Sequence, residues 1–261
     1  MTKFLSKKKH KIAYSEHIAK NSKIGVIITH GLAEHKGRYK DFTSQLAENN
    51  ISVFAMDLRG HGESSGSRGD AKNFKQLLSD LTCFVDYIKT EYTELKIVLF
   101  GHSFSGQQAL VYSAINPIDG LILSNPLLAR PRKTKILNLV PHKICGFVKL
   151  KKKHSESAEM LEISRNDPLS CKKFTLRLVG IMFKDGTKQV NKHISNVKCP
   201  VLVVAGKLDP LINCSVTEQA FERITQENKT IKIYENVKHR IVQNKGSVER
   251  INDIIAWINL L

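Results

Sequence analysis

Lys96-Ile97-Val98-Leu99-Phe100-Gly101-His102-Ser103-Phe104-Ser105-Gly106 decides how this chain reads. An apolar, partly β-branched run feeds a small-residue turn with serine at its centre. Gln107-Gln108-Ala109-Leu110-Val111-Tyr112 follows and suits a helix. This is the sequence form of a nucleophile elbow, in which a serine sits on a sharp strand-to-helix turn. The positions two before and two after that serine must be nearly free of side chain, or they collide across the turn. Here they are Gly101 and Ser105. The helix that follows aims its first amides at the place where negative charge develops. Taken alone, the hexapeptide Gly101 to Gly106 fits a strand-to-helix loop with an ordinary capping serine equally well.

Three further segments separate those readings. Ile24-Gly25-Val26-Ile27-Ile28-Thr29 has a buried-strand pattern and runs into His30-Gly31-Leu32-Ala33-Glu34-His35. In an α/β-hydrolase, one oxyanion-hole amide lies in the loop after the third strand and the other on the residue after the nucleophile. Those are the backbone N–H groups of Leu32 and Phe104. Pro200-Val201-Leu202-Val203-Val204-Ala205 is a continuous apolar strand, followed by Gly206-Lys207-Leu208-Asp209-Pro210. Asp209 thus falls just past a strand's carboxyl end, where open α/β sheets place their sites. Thr230-Ile231-Lys232-Ile233-Tyr234 alternates like a strand, and His239 lies in the loop after it. Each piece has a plainer reading alone: a turn, a turn starter, a solvated histidine. Their chain order, Ser103, Asp209, His239, is that of nucleophile, acid and base in this fold.

The length of 261 residues suits one α/β-hydrolase domain, 1–261, carrying an insertion. Phe74, Leu77, Leu78, Leu81, Phe84, Val85 and Ile88 form a helical stripe, and Val248, Ile251, Ile254, Ile255 and Ile258 form another. Strand and helix patterns alternating in this way predict a mostly parallel central sheet with helices on both faces. Met1 to Lys11 is basic, lacks an apolar run, and does not resemble a secretory leader. Cys83, Cys145, Cys171, Cys199 and Cys214 are odd in number and show no metal-like spacing, so free thiols in a reducing, cytoplasmic compartment are expected. Cys214 reads as a buried structural thiol.

His30-Gly31-Leu32-Ala33-Glu34-His35-Lys36-Gly37-Arg38-Tyr39 resembles the His-Gly-x-Gly-Glu-His-x-x-Arg-Tyr block of monoacylglycerol lipases and related lysophospholipases. Asp57-Leu58-Arg59-Gly60-His61-Gly62-Glu63-Ser64-Ser65-Gly66 is similar to that family's next block, and Gly101 to Gly106 to its nucleophile block. Asp209 and His239 match the contexts of its acid and base. The chain departs from the pattern at Ala33 and Ser105, which stand for glycines, and at Arg240, where the family tends to carry an acidic residue. The resemblance implies a long-chain carboxylic ester of glycerol as substrate, cleaved with no metal or organic cofactor. A hydrolase-fold protein of weak or lost turnover, serving as a lipid- or partner-binding module, is the alternative reading.

The strand–helix rhythm breaks between Ser124 and Ser195, and in this fold an insertion there, 125–195, forms a cap over the site. From Gly120 to Ser155 there is no Asp or Glu, while Arg130, Arg132, Lys133, Lys135, Lys143, Lys149, Lys151, Lys152 and Lys153 interleave with apolar residues. That pattern fits peripheral contact with an anionic membrane, and equally a solvated basic face over an apolar cap core. The formal net charge of +17 favours acidic partners. No nucleic-acid motif or aromatic series accompanies the charge, so nucleic acid is not expected as a partner. Reversing the charge of several lysines among Lys149 to Lys153 is expected to weaken sedimentation with anionic vesicles; unchanged binding would refute a membrane role for this stretch.

Overall fold

The computed structural model describes residues 1–129, 147–148, 162, 165–243 and 246–261. The nine cations of the basic stretch and Cys145 lie outside the described residues, as does most of the first half of the 125–195 insertion.

Eight strands form one sheet. They are β1 (Lys3–Lys7), β2 (His10–His17), β3 (Ile24–Thr29), β4 (Ser52–Met56), β5 (Lys96–His102), β6 (Gly120–Ser124), and two later strands reached after the insertion. The insertion contributes the short antiparallel pair β7 (Phe147–Val148) and β8 (Phe174–Thr175). The sheet resumes with β9 (Val201–Gly206) and β10 (Lys229–Tyr234), giving the order β1-β2-β4-β3-β5-β6-β9-β10. Only β1–β2 and β2–β4 pair antiparallel; every other neighbouring pair in this sheet is parallel.

Alternation along the strands explains the layers. Ile27, Phe54, Leu99, Leu121 and Val203 point to one face and pack with α2 (Phe74–Glu91) and α3 (Phe104–Ile115). Val26, Ile28, Val53, Val98, Phe100, Ile122 and Val204 point to the other, against α1 (Lys40–Glu48) and the C-terminal helix Val248–Ile258. A strand with apolar residues on both faces is stable only between two helical layers. Both expected helical stripes are present, with Leu78 only partly buried and Val248, at the start of the last helix, exposed.

The basic stretch Met1 to Lys11 supplies β1 and the start of β2, which the sequence did not announce. β1 is an edge strand whose residues are mostly exposed, and lysines are the usual protection of such an edge. Arg59 and Lys7 converge on buried Asp80 of α2, with Arg59 Nε–Oδ2 at 2.7 Å and Lys7 Nζ–Oδ1 at 3.0 Å. The hairpin is thereby tied to the helical layer.

The described second half of the insertion runs through α4 (Leu176–Gly180), a π-turn at Ile181–Gly186 and α5 (Thr187–His193). Gln107 of α3 donates to the Met182 carbonyl at 2.9 Å, satisfying a group in the π-turn. Gly186 makes room for it: a Cβ there would stand 2.0 Å from Gln107 Oε1. The insertion is also fastened to loops at the carboxyl end of the sheet. His35 donates from Nε2 to Asp167 at 2.7 Å, Arg38 pairs with the same carboxylate at 2.9 Å, and Arg177 pairs with Asp70. Between β9 and β10 lies α6 (Cys214–Glu222), and α7 (Val248–Ile258) closes the chain. Among the described residues no helix is long and apolar enough to cross a membrane.

Candidate active site

Parallel strands deliver their carboxyl ends to one edge of the molecule, and the site is assembled there from the loops after β3, β5, β6, β9 and β10. Ser103 lies between β5 and α3 with φ 54° and ψ −116°, a conformation that L-residues avoid. The turn is crowded: a Cβ on Gly101 would stand 2.6 Å from the Ala109 Cβ. Ser105, the departure at the other crowded position, is fully buried, and its hydroxyl joins the two strands beside the elbow. It accepts the His102 N–H at 3.1 Å and donates to the Thr29 carbonyl at 2.8 Å, with the Thr29 hydroxyl 3.0 Å away.

The structure brings all three expected side chains together. His239 Nε2 is 2.9 Å from Ser103 Oγ, and His239 Nδ1 is 2.6 Å from Asp209 Oδ2. Asp209 Oδ1 accepts the amides of Leu211 at 2.8 Å and Ile212 at 3.0 Å, so its carboxylate is fixed in place by its own turn. With an acceptor at Nδ1, that nitrogen carries the proton and Nε2 is left basic toward the serine.

A residue that sequence reasoning missed holds the base loop. Asn125, just after β6 with φ 39°, donates from its amide to the carbonyls of His239 at 2.6 Å and Lys238 at 3.2 Å. Its amide oxygen accepts the Gly206 N–H at 2.9 Å. Gly206 must be glycine, since a Cβ would stand 2.3 Å from the Val237 carbonyl oxygen. The loop of His239 therefore lies directly over the end of β9, three residues before Asp209. Nothing local to Asn125 distinguishes it from a turn residue; its role depends on contacts more than 110 residues away.

The loop after β3 is shaped by hydrogen bonds to the Gly31 carbonyl. Leu58 N–H donates to His30 Nε2 at 3.0 Å, so the His30 proton is on Nδ1 and goes to Gly31 O at 2.8 Å. Glu34 N–H reaches the same carbonyl at 3.3 Å, closing a four-residue turn in which Ala33 has φ 73°. Because a peptide is planar and trans, holding the Gly31 carbonyl turns the Leu32 N–H to the opposite side. Neither the Leu32 nor the Phe104 amide has an acceptor among the described residues.

Three buried histidines surround the loops in neutral form. Burial lowers His30, as bonding at both nitrogens in one tautomer requires. Burial, with help from His30, pushes His61 down to about 3. Burial pushes His102 down to about 4, His239 and Arg240 adding to the effect against an opposing Glu34. The His102 ring packs on His239 with centroids 4.8 Å apart. Arg240 is buried against Glu34 at 3.2 Å. Burial raises the Glu34 carboxyl, and the Arg240 guanidinium leads the groups that more than reverse this, leaving it well below the usual carboxylate range.

The chain matches the family described as serine aminopeptidase, S33, over residues 20–246. It is 30% identical over 247 residues to the human monoglyceride lipase, covering 90% of this chain and 80% of that protein. The crystal structure of the Paleococcus ferrophilus monoacylglycerol lipase superposes with a TM-score of 0.79 at 25% identity, covering 94% of this chain and 97% of that one. A soluble variant of the Saccharomyces cerevisiae monoglyceride lipase, in complex with a substrate analog, gives a TM-score of 0.87 at 21% identity, over 98% and 93% of the two chains.

Two measurements check this geometry. Ser105→Ala removes a buried hydroxyl bonded to two strands and is expected to cost about 1–3 kcal/mol of stability in denaturant titration. The neutral histidines set an acid limit. Unfolded, His61 and His102 take up protons below their ordinary value of 6.5, whereas folded they resist to about 3 and 4. Stability, complete above that value, is therefore lost as pH falls toward 4, at up to ~1.4 kcal/mol per pH unit for each ring. Unfolding free energies that stay flat from pH 7 to 4.5 would contradict the assignment.

Proposed function

The chain belongs to the serine aminopeptidase, S33, hydrolase family, and on that premise we propose that it cleaves the carboxylic ester of a monoacyl lipid, a monoacylglycerol or a lysophospholipid. The observation that carries the reading is the continuous relay from Asp209 through His239 to Ser103, seated on a left-handed elbow. The substrate class rests on the relatives, whose names place them among lipases of monoacylglycerols.

The geometry supports the following reaction. His239 Nε2 takes the Ser103 proton as Oγ attacks the ester carbonyl, and Asp209 stabilises the resulting imidazolium. The amides of Leu32 and Phe104 bind the oxyanion of the tetrahedral intermediate; losing one such donor costs about 2.7–4 kcal/mol in comparable sites. His239 then protonates the departing glycerol-side oxygen, leaving an acyl-enzyme. Water deprotonated by His239 releases the fatty acid. No metal or organic group enters this sequence.

In this reading the insertion 125–195 is a cap that controls entry of the acyl chain. Its ties from Asp167 and Arg177 to the loops after β3 and β4 support that role, because they fasten it at the carboxyl edge of the sheet. The basic residues between Gly120 and Ser155 would rest the cap on anionic headgroups, bringing the site to a membrane-borne substrate. Cys83, Cys199 and Cys214 are free thiols, which suits a reducing compartment.

Hydrolysis of monoacylglycerols, lysophosphatidylcholine, triacylglycerol, a short p-nitrophenyl ester and an aminoacyl p-nitroanilide tests the proposal. Wild type is expected to release fatty acid from a long-chain monoacyl lipid and to label with a fluorophosphonate. Ser103→Ala is expected to lose both, and Asp209→Asn to retain about 10⁻⁴ of kcat. Turnover of the anilide alone would move the assignment to a peptidase. A chain that hydrolyses nothing and does not label would be a binding module.

A further inference from the structure

Glu34 and Arg240 stand on two different catalytic loops and meet in the interior. Glu34 closes the turn that carries Leu32; Arg240 directly follows His239. Both are more than nine-tenths buried, with 3% and 4% of their surface exposed. Glu34 Oε2 accepts the Gly31 N–H at 3.1 Å, the Tyr39 hydroxyl at 2.9 Å and the Gln243 amide at 3.2 Å, while Oε1 faces Arg240 Nη2 at 3.2 Å. One carboxylate therefore holds the oxyanion turn from within and takes two side chains of the base loop from across the site.

A buried ion pair is weak evidence for a contribution to stability, since desolvating two charges offsets much of their attraction. Its placement matters more here, because each loop already has its own fastening. Asn125 holds the base loop to β9, and His30 holds the Gly31 carbonyl. Neither of those contacts relates one loop to the other. Glu34 with Arg240 and Gln243 does. The attack of Ser103 requires His239 Nε2 on one side of the reacting carbon and the Leu32 amide on the other, at the same moment. Misplacement by an ångström of either group can cost about 10²-fold in rate.

We infer that Arg240 and Glu34 are positioning residues that set the base loop against the oxyanion turn, so that general base and oxyanion donor act in register. Neither touches substrate; each acts through its neighbour, Arg240 through His239 and Glu34 through Leu32. This inference rests on the serine-hydrolase reading of Ser103. It also gives a role to Arg240, which stands where the resembling family tends to place an acid.

The test compares wild type with Arg240→Met, Arg240→Lys and the double variant Glu34→Gln/Arg240→Met, on a p-nitrophenyl ester and with an alkylboronic acid that forms a tetrahedral adduct on Ser103. The double variant leaves no uncompensated buried charge and is the one expected to keep its fold where Arg240→Met does not. In it, kcat is expected to fall about 10- to 100-fold with KM within about twofold. The boronic acid Ki should rise by the same factor as kcat/KM falls, because both report the tetrahedral geometry. Arg240→Lys keeps the cation and should recover part of the loss. A wild-type kcat and boronic acid affinity in the folded variants would overturn the inference and leave the pair as a fold contact alone. A wild type that neither hydrolyses the ester nor labels with fluorophosphonate would overturn the hydrolase reading, and this one with it.

Discussion

The left-handed backbone at Ser103 is the constraint around which the rest is arranged. Holding a side-chain-bearing residue there costs about 1–3 kcal/mol, and only surroundings that over-determine the conformation sustain it. Those surroundings are specific. Leu127 N–H bonds the Ser103 carbonyl at 3.0 Å, and Ser103 N–H bonds the Ser124 carbonyl at 2.9 Å. Gly101 lets α3 approach β5, and Ser105 fills the space that a second glycine would leave empty while joining His102 to Thr29. The hydroxyl is then a replacement for bare backbone, adding bonds between strands where the turn is under strain.

From that fixed point the site is extended by polar groups that are buried and satisfied in one arrangement only. Asn125 and His30 bond backbone of a neighbouring loop, and Asp209 bonds the amides of its own turn and the His239 ring. Glu34 bonds the Gly31 amide and two side chains of the loop after β10. Such contacts are short-range and directional, so they order loops that have little apolar surface of their own. The aliphatic layers above and below the sheet fix where the strand ends are; these polar ties decide how the loops leave them.

Much of this was legible in the chain. Continuous apolar runs before Ser103 and Asp209, and an alternating one before His239, identified strands whose ends must carry the site, because parallel strands deliver their carboxyl ends together. The helix stripe from Phe74 to Ile88 was equally plain, since burial imposes its period. The edge strand β1 was not, because its residues are mostly exposed and carry no apolar alternation. Asn125 and the Glu34–Gln243 contact were illegible for another reason. Their partners lie up to 209 residues away, and no local pattern distinguishes them from turn residues. Ser105 and Arg240 were visible only as departures from a pattern; their partners, Thr29 for one and Glu34 for the other, lie far off in the chain.

The spacing of the triad has a consequence for how the molecule comes into being. His239 is 136 residues from Ser103 along the chain and 30 from Asp209, each attached to a different strand of a mostly parallel sheet. Parallel pairings of high sequence separation close late, after loop entropy has been spent on bringing distant segments together. A chain that stops before β9 and β10 contains the residues of the Ser103 turn and neither Asp209 nor His239, so on the proposed reading its serine has no base. On that reading reactivity waits for the last strands to dock, and labelling of Ser103 reports completed folding.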